Sequence, residues 1–412
     1  MTEAHKEKYN QIIILGNGFD LACSLNSTYL DFFRWRLSQL NLQSLGEIFE
    51  CDFSKIFNDN PDKILAGKKI ALKILNKFSS DSNRLTSLIR TRIKFNTYLP
   101  MKNNLKSFNF WDLLFLLNDN ANNNFNWWDV EAVMDDFLKK VMDNVDSSSE
   151  QRLPFLITKT FDNIKERQDF LKNQLNIFED NFAKYISNQV SINKNFRSNA
   201  KNKLSFILNS QKNNNDNATV ISFNYSLSAQ DLLQTSPCKT INKWINIHGY
   251  AKYSNNNMYH PIFGIDSTSL NNEADFRNIF TKSYQVALNT IGKSSIELPR
   301  NVNCISFYGH SLAKADYSYF ESLFDMYNLY SSNLHLHFYC GLYDVKNSSN
   351  KEAVIAKKKL QNNKIHQGLM TSIYKLINHY GASLAKNHGD NLFHRLLLEG
   401  RIKIIDDPGA RK

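Results

Sequence analysis

Long apolar runs are missing from this sequence. No stretch approaches the roughly 20 consecutive apolar residues that a membrane-spanning helix needs. The start, Met1 to Asn10, is charged and polar where a signal peptide requires an apolar segment. A cytoplasmic protein without membrane contact is therefore expected. Cysteine is scarce as well: the five residues Cys23, Cys51, Cys238, Cys304 and Cys340 lie far apart and form no CxxC pair. That pattern suggests neither a disulfide framework nor a cysteine zinc site, so reduced thiols and no bound metal are expected. No internal repeat recurs at a fixed period. Basic clusters are also lacking, although Lys and Arg outnumber Asp and Glu by 50 to 39 and the net charge is +11. The nearest approach, Lys357 to Lys359, sits in a helical pattern and reads as a solvated face, which disfavours nucleic acid as the partner.

What is present is a globular chain. With 412 residues, 42% of them hydrophobic, it can bury at least one large core and has room for two or three domains. Residues 11–15 are a short β-branched apolar run followed by glycine, the pattern of a buried parallel strand. A helix is predicted next, with Ser27 or Thr28 as its cap and Tyr29, Phe32, Phe33 and Leu37 on its buried stripe. From 41 to 215 the periodicity is helical, clearest over 64–78, 111–117, 130–141 and 170–190, while Asn-rich stretches at 122–124 and 213–217 read as loops. Strand signals return at 218–223, 243–247, 261–265, 303–308 and 334–340, and a last one at 401–405 follows a helix over 391–399. The expectation is an α/β fold, a Rossmann-like, mostly parallel sheet covered on both faces. Its core would comprise 1–40 and 216–412, with 41–215 as a large helical insertion.

Four motifs fall at predicted strand ends, where open α/β sheets bind ligands. Gly16-Asn17-Gly18-Phe19-Asp20 follows the first strand; its glycines would let the backbone approach a pyrophosphate, or simply make a tight turn. Leu21 stands where a dinucleotide fingerprint has its third glycine, and Asp20, repelled by phosphate, suits ribose hydroxyls or loop N–H groups. Ser222-Phe223-Asn224-Tyr225 offers an amide that holds a ribose hydroxyl and a water, or caps a helix. Ile247-His248-Gly249 supplies the best base in the chain, or a histidine satisfied by a backbone partner. Gly309-His310-Ser311-Leu312, with Asp316, suits phosphate or ribose contact, or a cap. His335 and His337 alternate on a strand, and His379, His388 and His394 show no ligand spacing, so all are read as packing or surface histidines.

In this order the four motifs resemble the sirtuin NAD-binding core (GAGxS, TQNID, HG and GTSL). The resemblance implies NAD as ligand or substrate, with Gly16 and Gly18 against the pyrophosphate, Asn224 and His248 flanking the nicotinamide ribose, and Ser311 touching the adenosine side. Paired CxxC knuckles after His248 and an acyl-lysine channel signature are both absent. A closer resemblance, over nearly the whole chain, is to the AbiH family of phage abortive-infection proteins. It rests on ILGNGFDLA (14–22) with Ser27-Thr28-Tyr29, WWDVE (127–131), SFNYS (222–226), NIHGY (246–250), YGHSL (308–312) with Asp316, and the tail NLFHRLLLEGRI. This implies antiviral defence, with a phage-derived trigger or a partner defence protein.

Together these readings give an NAD glycohydrolase as the expected effector. His248 and Asn224 are its expected catalytic residues, and Gly16, Asn17, Gly18, Phe19, Asp20, Thr28, Gly309, His310, Ser311 and Asp316 its ligand contacts. Paired carboxylates are not needed, because the leaving pyridinium departs neutral. Such an enzyme would kill its host if always active. The helical insertion is accordingly the expected lid, sensor or homo-oligomer contact. The rivals are a nuclease, motivated by the positive charge and by acids such as Asp129, Glu131, Asp135 and Asp136, of which Glu131 and Asp135 fall at i and i+4 on one helix face that could hold Mg²⁺, and a non-catalytic nucleotide sensor.

Overall fold

The computed structural model describes residues 10–49, 51–80, 109–118, 127–143, 152–210, 217–232, 240–251, 261–267, 270, 275–290, 297–343, 352–384 and 389–411. The stretch 122–124, residues 213–216, Cys238, His388 and the side chains of Trp127 and Trp128 lie outside the described residues. The chain forms two compact units: Met1–Ser27 with Ser187–Tyr250 and Gly292–Lys412, and Thr28–Ile186 with Ala251–Ile291.

The first unit is built on a sheet of β1 (Asn10–Leu15), β2 (Asn217–Ser222), β3 (Ile241–Asn246), β4 (Cys304–Tyr308), β5 (His335–Tyr343) and β6 (Ile402–Arg411). All neighbours run parallel, in the order β3-β2-β1-β4-β5-β6. That is the strand order of doubly wound dinucleotide folds, reversing direction at β1 and β4. Both faces are covered, which explains why β1 and β4 read as continuous apolar runs. One face carries Ile12, Ile14, Ile305, Phe307, Leu336 and Phe338, packed in a common core with Phe320, Phe324, Ile373, Ile377 and Leu396 from three helices, Tyr317–Met326, Glu352–Ser383 and Leu392–Leu398. Each such fully buried side chain contributes about 1.5–3 kcal/mol. On the other face the helix Phe196–Asn209 turns Ala200, Leu204 and Ile207 inward, and Phe206 lies edge-on to Tyr339 with ring centroids 5.8 Å apart.

The segment 261–265 corrects the strand prediction. It makes only an isolated bridge, Ile265 with Thr281. Side chains have taken the ladder bonds: the Phe263 N–H donates to Glu179 Oε1 at 2.9 Å, and Gln285 Nε2 donates to the Phe263 carbonyl at 2.8 Å. Pro261 has no N–H to offer. Among the described residues no helix is long and apolar enough to cross a membrane.

The second unit is helical and centred on aromatic side chains. Thr28 caps the helix Tyr29–Ser38, and Tyr29, Phe32, Phe33 and Leu37 are its buried stripe, as the periodicity predicts. Phe32 meets Phe178 and Phe182 edge-on, and Phe178 packs against Phe115. Inside this core Arg36 Nη2 lies 2.9 Å from Asp112 Oδ2, with both side chains almost fully buried. The same carboxylate oxygen accepts the Asn109 N–H at the start of the helix Phe110–Leu117. Burial raises the Asp112 pKa despite the adjacent guanidinium. Deleting one partner strands a buried charge, so Asp112→Ala is expected to lose about 3–5 kcal/mol in urea unfolding. The apolar double replacement Arg36→Met with Asp112→Leu should recover most of that loss; an unchanged midpoint for Asp112→Ala would refute the assignment.

Candidate functional site

Register brings the four motifs together. Leu15 pairs with Ser222 and Tyr308, and Ser222 pairs with Asn246, so the last residues of β1 to β4 form one row. The turns beginning at Gly16, Phe223, Ile247 and Gly309 therefore leave the same edge of the sheet, beyond the carboxyl ends of the strands.

The β1 and β4 turns touch through their backbones. Gly16 N donates to the Tyr308 carbonyl at 3.0 Å, and Gly18 N donates to the Gly309 carbonyl at 2.7 Å. A Cβ on Gly16 would stand 2.4 Å from His310 Cα, and one on Gly18 2.7 Å from Gly309 Cα. Here the glycines serve a close crossing of two main chains, and their N–H groups are engaged in it. Gly309 itself has φ +67, and Leu312, buried and non-glycine, has φ 53, a costly left-handed conformation. His310 supports that turn: its Nδ1 accepts the Leu312 N–H at 3.0 Å, while Nε2 faces Asp316 Oδ2 at 3.5 Å. Ser311 is exposed at the rim.

Asp20 lies beneath this crossing at 2% exposure. Its Oδ1 accepts Asn224 Nδ2 at 3.1 Å and Ser226 Oγ at 2.8 Å, and the same Asn224 amide donates to the Gly16 carbonyl at 2.9 Å. Asn224 is in turn held by Ser222 Oγ at its N–H and by Asn246 Nδ2 at its carbonyl. Desolvation outweighs the two hydrogen bonds and lifts the Asp20 pKa from 3.8 to about 7. A carboxyl that titrates near neutrality at a turn of this kind is a functional-site signature.

His248 is buried at the β3 turn. Phe223 packs between the two histidines, its ring centroid 5.2 Å from His248 and 4.7 Å from His310, and Tyr319 lies 5.5 Å from His248. Phe19 packs its ring edge-on to Tyr308, and Asn17 Oδ1 accepts Ser27 Oγ at 2.6 Å. Thr28 belongs to the helical unit, where its hydroxyl accepts the Asp31 N–H at 3.1 Å in a capping box. Apart from Thr28, the residues expected at the site share this one region of the sheet unit.

Sequence reasoning missed Ser226, Tyr319 and a trio beside the β4 end, of which Tyr308 and Asp407 are buried and Lys203 is half-buried. Asp407 Oδ2 accepts Tyr308 Oη at 2.5 Å and pairs with Lys203 Nζ at 2.6 Å. Cys23 senses both Asp20 and this pair, and burial pushes its thiol pKa far up, leaving it a poor nucleophile.

In the helical unit Glu131, Asp135 and Asp136 of the WWDVE helix are matched by cations. Glu131 Oε1 is 2.5 Å from buried Lys282 Nζ; Asp135 receives Arg277 Nη1 at 2.8 Å and Lys139 Nζ at 2.6 Å; Asp136 pairs with Lys140.

A family model described as Bacteriophage abortive infection AbiH matches residues 12–338. The chain belongs to this family. The matched span contains all four turns, and the protein is one of phage abortive-infection defence. No curated protein and no solved structure matches it.

Two measurements test this construction. Gly309→Ala would place Cβ 2.2 Å from Phe19 N in a left-handed backbone; overpacking of this kind typically costs about 1–3 kcal/mol. Wild-type stability for that variant would contradict the crossing. For Asp20, the folded chain holds a proton between its ordinary 3.8 and about 7 while the unfolded chain does not. The resulting stability is full below pH 3.8 and is lost as pH rises through about 7. A rise from 3.8 to about 7 corresponds to a ceiling of about 4 kcal/mol. Unfolding free energies for Asp20→Asn should fall less between pH 4 and 8 than those of the wild type, and parallel curves would count against a protonated Asp20.

Proposed function

We propose that this defence protein is an NAD glycohydrolase whose site is the edge formed by the β1 to β4 turns. The observation that carries the reading is Asp20, a buried carboxyl held at neutral-range proton affinity where the strand order reverses. In the reaction, water adds to the ribose carbon bonded to nicotinamide, that C–N bond breaks, nicotinamide leaves neutral, and the water's proton needs an acceptor. We assign Asp20 as that acceptor and Asn224 as the residue that positions it, through the 3.1 Å hydrogen bond. The role of base, which the sequence assigns to His248, passes to Asp20, and His248 is assigned the ribose wall beside Phe223. With the Gly16 and Gly18 amides engaged, the pyrophosphate is assigned to the outer rim at Asn17 and Ser311.

The charge pairs in the helical unit favour this reading over the nuclease. Glu131 and Asp135 each face a cation at hydrogen-bonding distance, and a Mg²⁺ ion would have to displace it. The test follows NAD and nicotinamide in cells carrying the protein before and after phage infection, and with purified protein. Wild type should deplete NAD and release nicotinamide. Asp20→Asn should lower turnover by about 10²–10⁴-fold with the fold intact by circular dichroism, Asn224→Ala should act in the same direction, and His248→Ala should raise KM more than it lowers kcat. Constant NAD in infected cells and with purified protein, or degraded RNA or DNA in its place, would overturn the proposal.

A further inference from the structure

On the face of the sheet covered by the helix Glu352–Ser383, alternation along β5 runs Leu336, Phe338, Cys340, and along β6 runs Ile402, Ile404, Asp406. The first two members of each row are apolar and join the core or pack against it, whereas the third is a metal-ligating type. Cys340 and Asp406 are register partners on adjacent parallel strands, so their side chains leave the same face side by side. The helix above continues its own stripe to meet them. Ile377 and Ile373 are buried, Met370 and Leu369 pack against the core, and one turn earlier the stripe arrives at His366.

His366 Nε2 lies 2.7 Å from Asp406 Oδ1, and one donor atom from each of Cys340, His366 and Asp406 lies within 4.8 Å of the others. We propose that these three residues bind a thiophilic divalent cation of the zinc class, with a water in the fourth position. Tetrahedral zinc with sulfur, nitrogen and oxygen ligands sets its donors about 3.2–3.8 Å apart, so the thiolate would close by up to about 1 Å while the hydrogen-bonded His366 and Asp406 atoms part by about half an ångström. Thiolate and carboxylate together balance the charge of the ion, and imidazole completes the borderline-soft donor set that zinc favours. Access fits an ion better than a larger partner: Cys340 is 3% exposed, while His366 and Asp406 form a half-open mouth. Binding exchanges the Cys340 thiol proton for the cation, so affinity rises with pH. Asp407, next on β6, points through the other face to hold Tyr308 and Lys203, so an ion at Asp406 would brace the strand end that supports the β4 turn.

The test uses full-length protein stripped with chelator, then titrated with Co²⁺ and separately with Zn²⁺. One equivalent of cobalt should give intense visible bands of tetrahedral coordination together with a near-ultraviolet thiolate band, and zinc should displace it. Cys340→Ser should abolish the thiolate band. Because Cys340 is buried and its replacement can perturb folding, His366→Ala and Asp406→Ala at the open mouth provide the second arm. Each should weaken zinc binding by on the order of 100-fold, as loss of a direct ligand costs at least as much as loss of a supporting one. Cys51→Ser, at a cysteine outside the trio, should bind as the wild type does. Absence of the cobalt bands, or bands and affinity that persist in His366→Ala and Asp406→Ala, would overturn the proposal.

Discussion

Two main chains crossing at contact distance set the terms for everything around them. The β1 turn can meet the β4 turn only because Gly16, Gly18 and Gly309 have no side chains: any Cβ there would lie 2.2 to 2.8 Å from a backbone atom of the opposite turn. Backbone atoms cannot step aside as a flexible side chain would, so the steric condition is strict. The contact also takes up amide donors at the strand ends, where parallel β1 and β4 run out of ladder partners. With the turns locked, the Gly16 carbonyl faces β2, and the Asn224 amide can hold that carbonyl and Asp20 together.

The position so created is unfavourable for a carboxylate. Two neutral donors, Asn224 and Ser226, do not offset the loss of water around Asp20, and the proton affinity rises accordingly. Three other buried acids are treated differently. Asp112 is given Arg36, Asp407 is given Lys203, and Asp275 is given Arg277, each at 2.5 to 2.9 Å. Asp20 receives polar neutral groups instead, although Arg36, Arg277 and Lys282 are buried beside other acids. Holding a carboxyl without a countercharge costs stability near neutral pH, and a left-handed Leu312 in the adjoining turn adds strain. Costs that converge on one edge of the sheet are expected of a working site, since a purely structural acid gains by being paired.

Much of this architecture was legible in the chain. The β-branched run before Gly16 and the helical stripe after Thr28 follow from local periodicity, and the parallel sheet follows from strands alternating with helices. The four motifs were found because each carries glycine, histidine or asparagine at a strand end, and the register then placed them in one row. What could not be read is what depends on distant side chains. Glu179 and Gln285 take the hydrogen bonds of 261–265, so a segment with strand composition never joins a sheet. Lys203 and Asp407 sit in ordinary helical and strand contexts, and only the fold makes them partners of Tyr308. Cys340, His366 and Asp406 have no ligand-like spacing, because the sheet register and a long helix supply the proximity that a compact motif supplies locally.

The excess of basic residues takes on a narrower meaning in this light. Pairing a cation with an acid leaves the net charge of +11 unaltered. What it changes is which carboxylates remain available for chemistry. In the helical unit Glu131 and Asp135, spaced to share one helix face, are turned to separate cations, so the best sequence candidate for a Mg²⁺ site has its charge already compensated. At the sheet edge the opposite holds: Asp20 is kept uncompensated, its charge state left to the proton. A residue that changes protonation near neutral pH can exchange a proton with a bound reactant, whereas an acid bridged to Lys or Arg has its charge already compensated. This difference in the treatment of the carboxylates, more than the diffuse positive charge, is what the proposed site at the β1 turn rests on.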